Sequence, residues 1–264
     1  MTVVIAHGQP KSGSTFLYMT ALEVVQIVNR EEFYTFKDRV LGANTPTFVD
    51  KLTAETILEI DEKLAPGQTF VLKTHADLED EVADLITAGR VKAFTSFRDP
   101  RDTALSTLNV GEKDRAKGET RWFAKITEIG QLTNPIQFQW AETRDWVRHP
   151  DVLAVPYYVT AMSQSTSVKL LTEFLGMGYL SNTLAADMDA KREKLPEYNK
   201  GVLDRFVNEL SVEDLKFAND TWADTIAEYN ALLEETMTRL GHRMAYTYYT
   251  RMRDAKIAER VAAA

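Results

Sequence analysis

Short β-branched runs alternate with longer segments of helical periodicity over much of the chain, and this alternation restricts the fold more than any other feature. Residues 2–6, 69–73, 91–97 and 152–155 read as strands. Residues 15–28, 53–64, 77–88, a segment from about Arg101, and 165–175 read as helices, with Thr53 as an N-cap and Gly89 and Gly176 as stops. Residues 33–36 are read as a further short strand. Strands that alternate with helices form a parallel sheet covered by helices on both faces. The final third is mostly helical: Leu215, Ala218, Trp222, Ile226, Tyr229, Leu233, Met237 and Leu240 recur at helical spacing and are expected in the core.

Composition narrows the chemistry. The 264 residues show no repeat, low-complexity tract or long linker, so a single domain spanning 1–264 is expected. There is no cysteine, which excludes a disulfide scaffold, a thiolate metal site and a cysteine nucleophile. The four histidines have no metal-ligand spacing, so no metal is expected. No apolar run is long enough for a membrane span and the N-terminus has no signal-peptide pattern, from which a cytoplasmic location is expected. The net charge of −8 argues against nucleic acid as a partner. The charge is uneven: residues 90–121 carry eight Lys/Arg against five acids, enough to hold a small anionic ligand.

In open parallel sheets, ligands bind beyond the carboxyl ends of the strands. Three segments lie at such ends. The first runs from His7 through Gly8 and Lys11 to Phe16. A glycine-containing loop that opens a helix presents backbone N–H groups and the positive end of the helix dipole to an anion. Gly8-x4-Gly13 matches the glycine spacing of a P-loop, but Ser14-Thr15 stand where that motif has Lys-Ser/Thr, and the lysine sits inside the loop at Lys11. The expected class is therefore α/β with a P-loop-NTPase-like sheet and a helical C-terminal third.

The second segment, Lys73-Thr74-His75, places a histidine at a strand end beside this loop, where an imidazole serves as a general base near neutral pH. The third runs from Arg98 to Ser106. Arg98 offers a planar fork to phosphate oxygens, and Ser106 follows about two helical turns later. Alternatively Arg98 pairs with Asp99 or Asp102.

Together the three segments resemble the sulfotransferases that use 3′-phosphoadenosine 5′-phosphosulfate. Pro10-Lys11-Ser12-Gly13-Ser14-Thr15-Phe16 is similar to the family's PKSGTTW loop for the 5′-phosphosulfate, with Phe16 in place of the adenine-stacking Trp. Lys73-Thr74-His75 is similar to the KTH of the cytosolic branch, whose His is the catalytic base. Arg98 to Ser106 resembles RNPKDVAVS, whose Arg and Ser bind the 3′-phosphate. Weaker likenesses place Tyr157 and Thr183 near the adenine and Asn199-Lys200-Gly201 where RKG closes on the 3′-phosphate, with Asn199 replacing the Arg. The family's short dimerisation motif is not found, so a homodimer has no motif behind it.

The resemblance implies a sulfotransferase that moves a sulfuryl group from this co-substrate to an acceptor hydroxyl or amine, most simply of a small hydroxyl compound. His75 would act as base, with Lys11 and Lys73 catalytic beside it. Ser12 to Phe16, Arg98, Ser106, Tyr157, Thr183, Lys200 and Gly201 would bind the co-substrate. The alternatives are a P-loop small-molecule kinase and a nucleotide-binding module without catalysis. Residues 111–121 are expected to form a mobile loop near the acceptor entrance. Trp122 and Phe123 are expected in the core rather than in an acceptor pocket.

Overall fold

The computed structural model describes residues 2–191 and 202–262. In chain order the elements are β1 (Thr2–His7), α1 (Ser14–Asn29), α2 (Phe33–Leu41), β2 (Phe48–Val49), α3 (Ala54–Lys63), β3 (Thr69–Thr74), α4 (Asp80–Thr87), β4 (Val91–Phe97), α5 (Pro100–Ala116) and α6 (Thr133–Arg148). There follow β5 (Val152–Pro156), α7 (Tyr157–Met162), α8 (Gln164–Phe174), α9 (Ser181–Lys191), α10 (Arg205–Glu209), α11 (Val212–Thr221), α12 (Ala223–Arg239) and α13 (Arg243–Ala262). Two compact units emerge: Met1–Phe97 with Glu142–Tyr198, and Arg98–Ala141 with Asn199–Ala264.

The first unit holds a sheet in the order β2-β3-β1-β4-β5, parallel throughout. β1 is central, with Val3 opposite both Phe70 and Val91. Val3, Val4 and Ile5 are all 0% exposed, and successive strand side chains point to opposite faces, so both faces of β1 are covered. Helix α1 packs against β1, β3 and β4, α3 against β1, α4 against β4 and α8 against β5. The strands expected at 2–6, 69–73, 91–97 and 152–155 are present. Thr53 caps α3 by accepting the N–H of Thr56 at 3.2 Å.

The segment read as a strand at 33–36 is instead the start of α2. Phe33, Phe36, Lys37 and Val40 are its buried residues, an i, i+3, i+4, i+7 face, and the Glu32 carboxylate caps it by accepting the N–H of Thr35 at 2.9 Å. Four residues were too short a window to separate that face from a strand.

The second unit is helical and has its own core, in which Leu105, Ile136, Phe206, Leu215, Ala218 and Trp222 pack together. The expected loop at 111–121 is half wrong: α5 continues to Ala116. Gly111 is buried inside it because a Cβ there would collide with the Phe123 carbonyl and lie 2.9 Å from that of Ile126. This glycine admits a neighbouring backbone to the helix and does not loosen the chain. Trp122 and Phe123 follow as an edge-to-face pair, 5.2 Å between centroids, with Trp122 43% exposed, so the expectation of core burial fails there. The apolar stripe from Leu215 is core except at Ile226 and Leu240, which are only partly buried, and it lies on two helices. The chain breaks at Trp222, which is fully buried and donates its indole N–H to the Thr133 carbonyl at 3.3 Å. Among the described residues no helix is long and apolar enough to cross a membrane.

Candidate active site

β1 ends at His7 and the chain turns through residues 8–13 into α1. The Gln9 N–H donates to the Ser96 carbonyl at 2.9 Å and the Ser12 N–H to the Gln9 carbonyl at 3.1 Å, which curl the loop back over β4. The Ser12 hydroxyl is 2.6 Å from that of Ser96 and 2.5 Å from the Gln9 carbonyl. Ser12 therefore spends both its hydroxyl and its N–H on holding the loop. Gly8 is required by packing: a Cβ there would collide with the Ser96 hydroxyl and lie 2.5 Å from Ser14 Cβ. Lys11 and Gly13 adopt left-handed backbone, at φ 66° and 87°. For Lys11 that conformation costs about 1–2 kcal/mol, and such strain concentrates at functional loops.

The result is a cradle. Gly13 is the N-cap of α1 and no side chain caps it. Among the described residues the N–H groups of Gly13, Ser14 and Thr15 make no hydrogen bond. Three unpaired donors at the positive end of a sixteen-residue helix suit an anionic oxygen group. A negatively charged sulfuryl or phosphoryl ligand fits this donor set.

Lys73, near the end of β3, donates to Thr15 Oγ1 at 3.0 Å. Its ammonium lies 5.6 Å from the centroid of the Tyr18 ring. The Tyr18 hydroxyl is 2.7 Å from Thr47 Oγ1, and burial pushes its pKa up to about 12, so the ring stays neutral beneath the cation. Lys73 is thus brought to the loop.

His75 follows β3, and its Nδ1 lies against the Gly8 carbonyl. A carbonyl only accepts, so Nδ1 carries a proton, and in the neutral ring Nε2 holds the lone pair. Phe48, on the edge strand, meets the imidazole edge to face at 5.2 Å. Behind this histidine lies another. The His7 ring stacks on Trp146 at 4.7 Å and 8°, and its Nδ1 is 2.7 Å from Thr95 Oγ1. Its pKa falls well below the usual value because of burial first and the charge of His75 second, so it stays neutral. Phe48, His7 and Trp146 are absent from the sequence-level set of site residues. Only the strand-end position of His7 hinted at a role.

The remaining expected residues divide. Tyr157 opens α7 in contact with Gly13, where a Cβ would lie 3.2 Å from its ring. Phe16 is 7% exposed and packs inward from α1. Thr183 is exposed on α9 and makes no hydrogen bond to the loop among the described residues. Asn199, Lys200 and Gly201 lie outside the described residues. In the second unit, Arg98 donates to Asp102 Oδ2 at 3.1 Å, both side chains being buried, so the alternative of an Arg98–Asp102 pair is realised. Ser106 lies two turns along α5, also buried. Asp102 in turn accepts the N–H groups of Asp204 and Phe206 at 3.0 and 3.1 Å. Asp99 holds Arg101 through two bonds of 2.9 and 2.7 Å, and Arg253 approaches it at 3.7 Å. Despite burial, which pushes the other way, these cations hold the Asp99 carboxyl below its usual pKa. Among the described residues no cluster of His, Asp or Glu is placed to hold a metal ion.

The chain, with its parallel sheet in the order 2-3-1-4-5, shares its fold with a solved sulfotransferase. Mouse sulfotransferase SULT7A1, solved with PAP, superposes with a TM-score of 0.56 at 16% identity over 85% of this chain and 84% of that one. Retinol dehydratase, solved with androsterone and PAP, gives 0.55 at 15% over 85% and 80%. Its complex with retinol and PAP gives 0.54 at 14% over 85% and 81%. No protein-family model and no curated protein matches the sequence.

Proposed function

We propose that the chain is a sulfotransferase that moves a sulfuryl group from 3′-phosphoadenosine 5′-phosphosulfate to an acceptor hydroxyl or amine, with His75 as general base. The observation that carries this is the contact between His75 Nδ1 and the Gly8 carbonyl. It leaves Nε2 basic, beside a loop whose free N–H groups suit an anion. The likeness to structures solved with PAP supports the donor class.

When bound, the donor supplies the sulfuryl group. His75 Nε2 takes the acceptor proton as the acceptor oxygen bonds to sulfur and the bond from sulfur to the 5′-phosphate oxygen breaks. Lys11 balances charge on that leaving oxygen. Lys73 and the N–H groups of Gly13, Ser14 and Thr15 hold the sulfuryl oxygens, so catalysis is by positioning and fixed charge. Phe48, beside His75, gives a small hydroxyl acceptor an apolar wall. The resemblance assigns the 3′-phosphate to Arg98 and Ser106.

The test is calorimetric titration of 3′-phosphoadenosine 5′-phosphate in EDTA against ATP with magnesium, repeated on Arg98→Ala. Metal-independent binding of the bisphosphate, weakened in the variant, supports the proposal. Preference for Mg-ATP favours a kinase and refutes it. His75→Ala then separates enzyme from binding module: transfer should fall on the order of 10²–10⁴-fold with bisphosphate affinity retained.

A further inference from the structure

The role given to His75 depends on one hydrogen bond, and both ends of that bond lead to the same buried indole. Trp146, on α6, is 0% exposed. Its Nε1–H donates to the carbonyl of Ala76, the residue after His75, at 2.9 Å. Its ring stacks flat on His7, the residue before Gly8. The far edge of His7 is fixed by Thr95, at 2.7 Å. Trp146 therefore touches the chain one residue from the donor and one residue from the acceptor of the His75–Gly8 bond.

We propose that Trp146, through His7 and Ala76, is the positioning residue that sets the tautomer and orientation of the His75 imidazole. The proposal rests on reading His75 as the general base. It also accounts for His7. The His7 ring is 1% exposed and its Nε2 has no hydrogen-bond partner among the described residues. A buried imidazole with an orphaned nitrogen costs folding free energy that an apolar side chain would not. A flat, neutral ring that both stacks on the indole and bonds to Thr95 fixes the approach to Gly8 in a way that a leucine does not. Burial keeps His7 neutral, so it adds no charge beside the base.

The experiment is ¹⁵N NMR of the histidine side chains in the full chain, combined with steady-state transfer kinetics. The wild-type protein should show His75 with the proton on Nδ1. Trp146→Phe keeps an aromatic face for His7 and removes the indole N–H. In that variant His75 should populate both tautomers, and kcat should fall on the order of 10- to 100-fold, the scale of a misplacement near 1 Å. The affinity for 3′-phosphoadenosine 5′-phosphate should stay within about two-fold, because the loop donors are untouched. If Trp146→Phe melts below the assay temperature, Thr95→Val, which frees the His7 ring at constant volume, carries the same test and should shift the tautomer in the same direction. A wild-type His75 protonated on Nε2, or a tautomer and kcat indifferent to the substitutions, overturns the proposal. A wild-type chain without transfer activity whose His75 tautomer still responds to Trp146→Phe refutes the sulfotransferase assignment and leaves the positioning role standing. An active chain whose tautomer ignores the substitution does the reverse.

Discussion

Replacing Asp204 by Asn should stabilise the protein at neutral pH and not at acidic pH. Asp204 sits just before α10 with left-handed backbone, φ 50°, a conformation that Asn tolerates as well as Asp. Its N–H donates to Asp102, and its carboxyl shares a hydrogen bond with Tyr249. Burial above all, with the carboxylates of Asp99 and Asp102 nearby, raises its pKa from 3.8 to about 6, against the opposing pull of the Tyr249 bond and Arg253. Between those two values the folded chain binds more protons at this site than the unfolded chain. Stability is then fully present below the unfolded pKa and is lost as pH rises through the folded one. The difference spans roughly two pH units, which at ~1.4 kcal/mol each sets a ceiling of about 3 kcal/mol lost at neutral pH. The amide carries no charge to desolvate and its oxygen still accepts from Tyr249. Urea unfolding of wild type and Asp204→Asn at pH 4 and pH 7.5 measures the effect, and groups common to both proteins cancel in the difference. A gain of about 1–3 kcal/mol at pH 7.5 that vanishes at pH 4 is expected. A gain of the same size at both values, or a loss at pH 7.5, would show that the carboxylate is not destabilised by burial and would refute the reasoning.

Two further substitutions probe the packing that shapes the loop and the helical core. Gly8→Ala places a methyl against the Ser96 hydroxyl, which is itself tied to Ser12, so loop and strand must separate. Chemical denaturation should show about 1–3 kcal/mol of destabilisation, with transfer activity reduced as the carbonyl leaves His75. An unchanged midpoint with full activity would mean that the loop is looser than its contacts imply. Trp222→Ala removes a fully buried ring and its bond to Thr133, and urea midpoints should report a loss of about 3–5 kcal/mol.

The alternation of strand and helix, and three segments at strand ends, were legible in the chain because both are written locally. A β-branched run, a glycine loop and a capped periodic stretch need only their neighbours to be recognised. Lys11, Gly13 and His75 stand out as candidates on residue type and place, whereas Lys73 enters only through the family resemblance. Errors arose where a local pattern was ambiguous. The α2 face was too short to distinguish from a strand, and residues 111–121 read as a loop because a glycine admitting a distant backbone cannot be told from one that turns the chain. What only the tertiary structure decided is which atoms meet across the sheet. Gly8 and His75 are far apart in sequence, and their contact, not the residue type, determines which imidazole nitrogen is basic. Trp146 and His7 meet only when β1, β3, β4 and α6 bring indole, imidazole and threonine hydroxyl together. The raised pKa of Asp204 likewise depends on burial first, and then on carboxylates about a hundred residues away along the chain. Residue chemistry is a property of sequence, but tautomer, orientation and proton affinity are set by neighbours that the chain acquires only on folding.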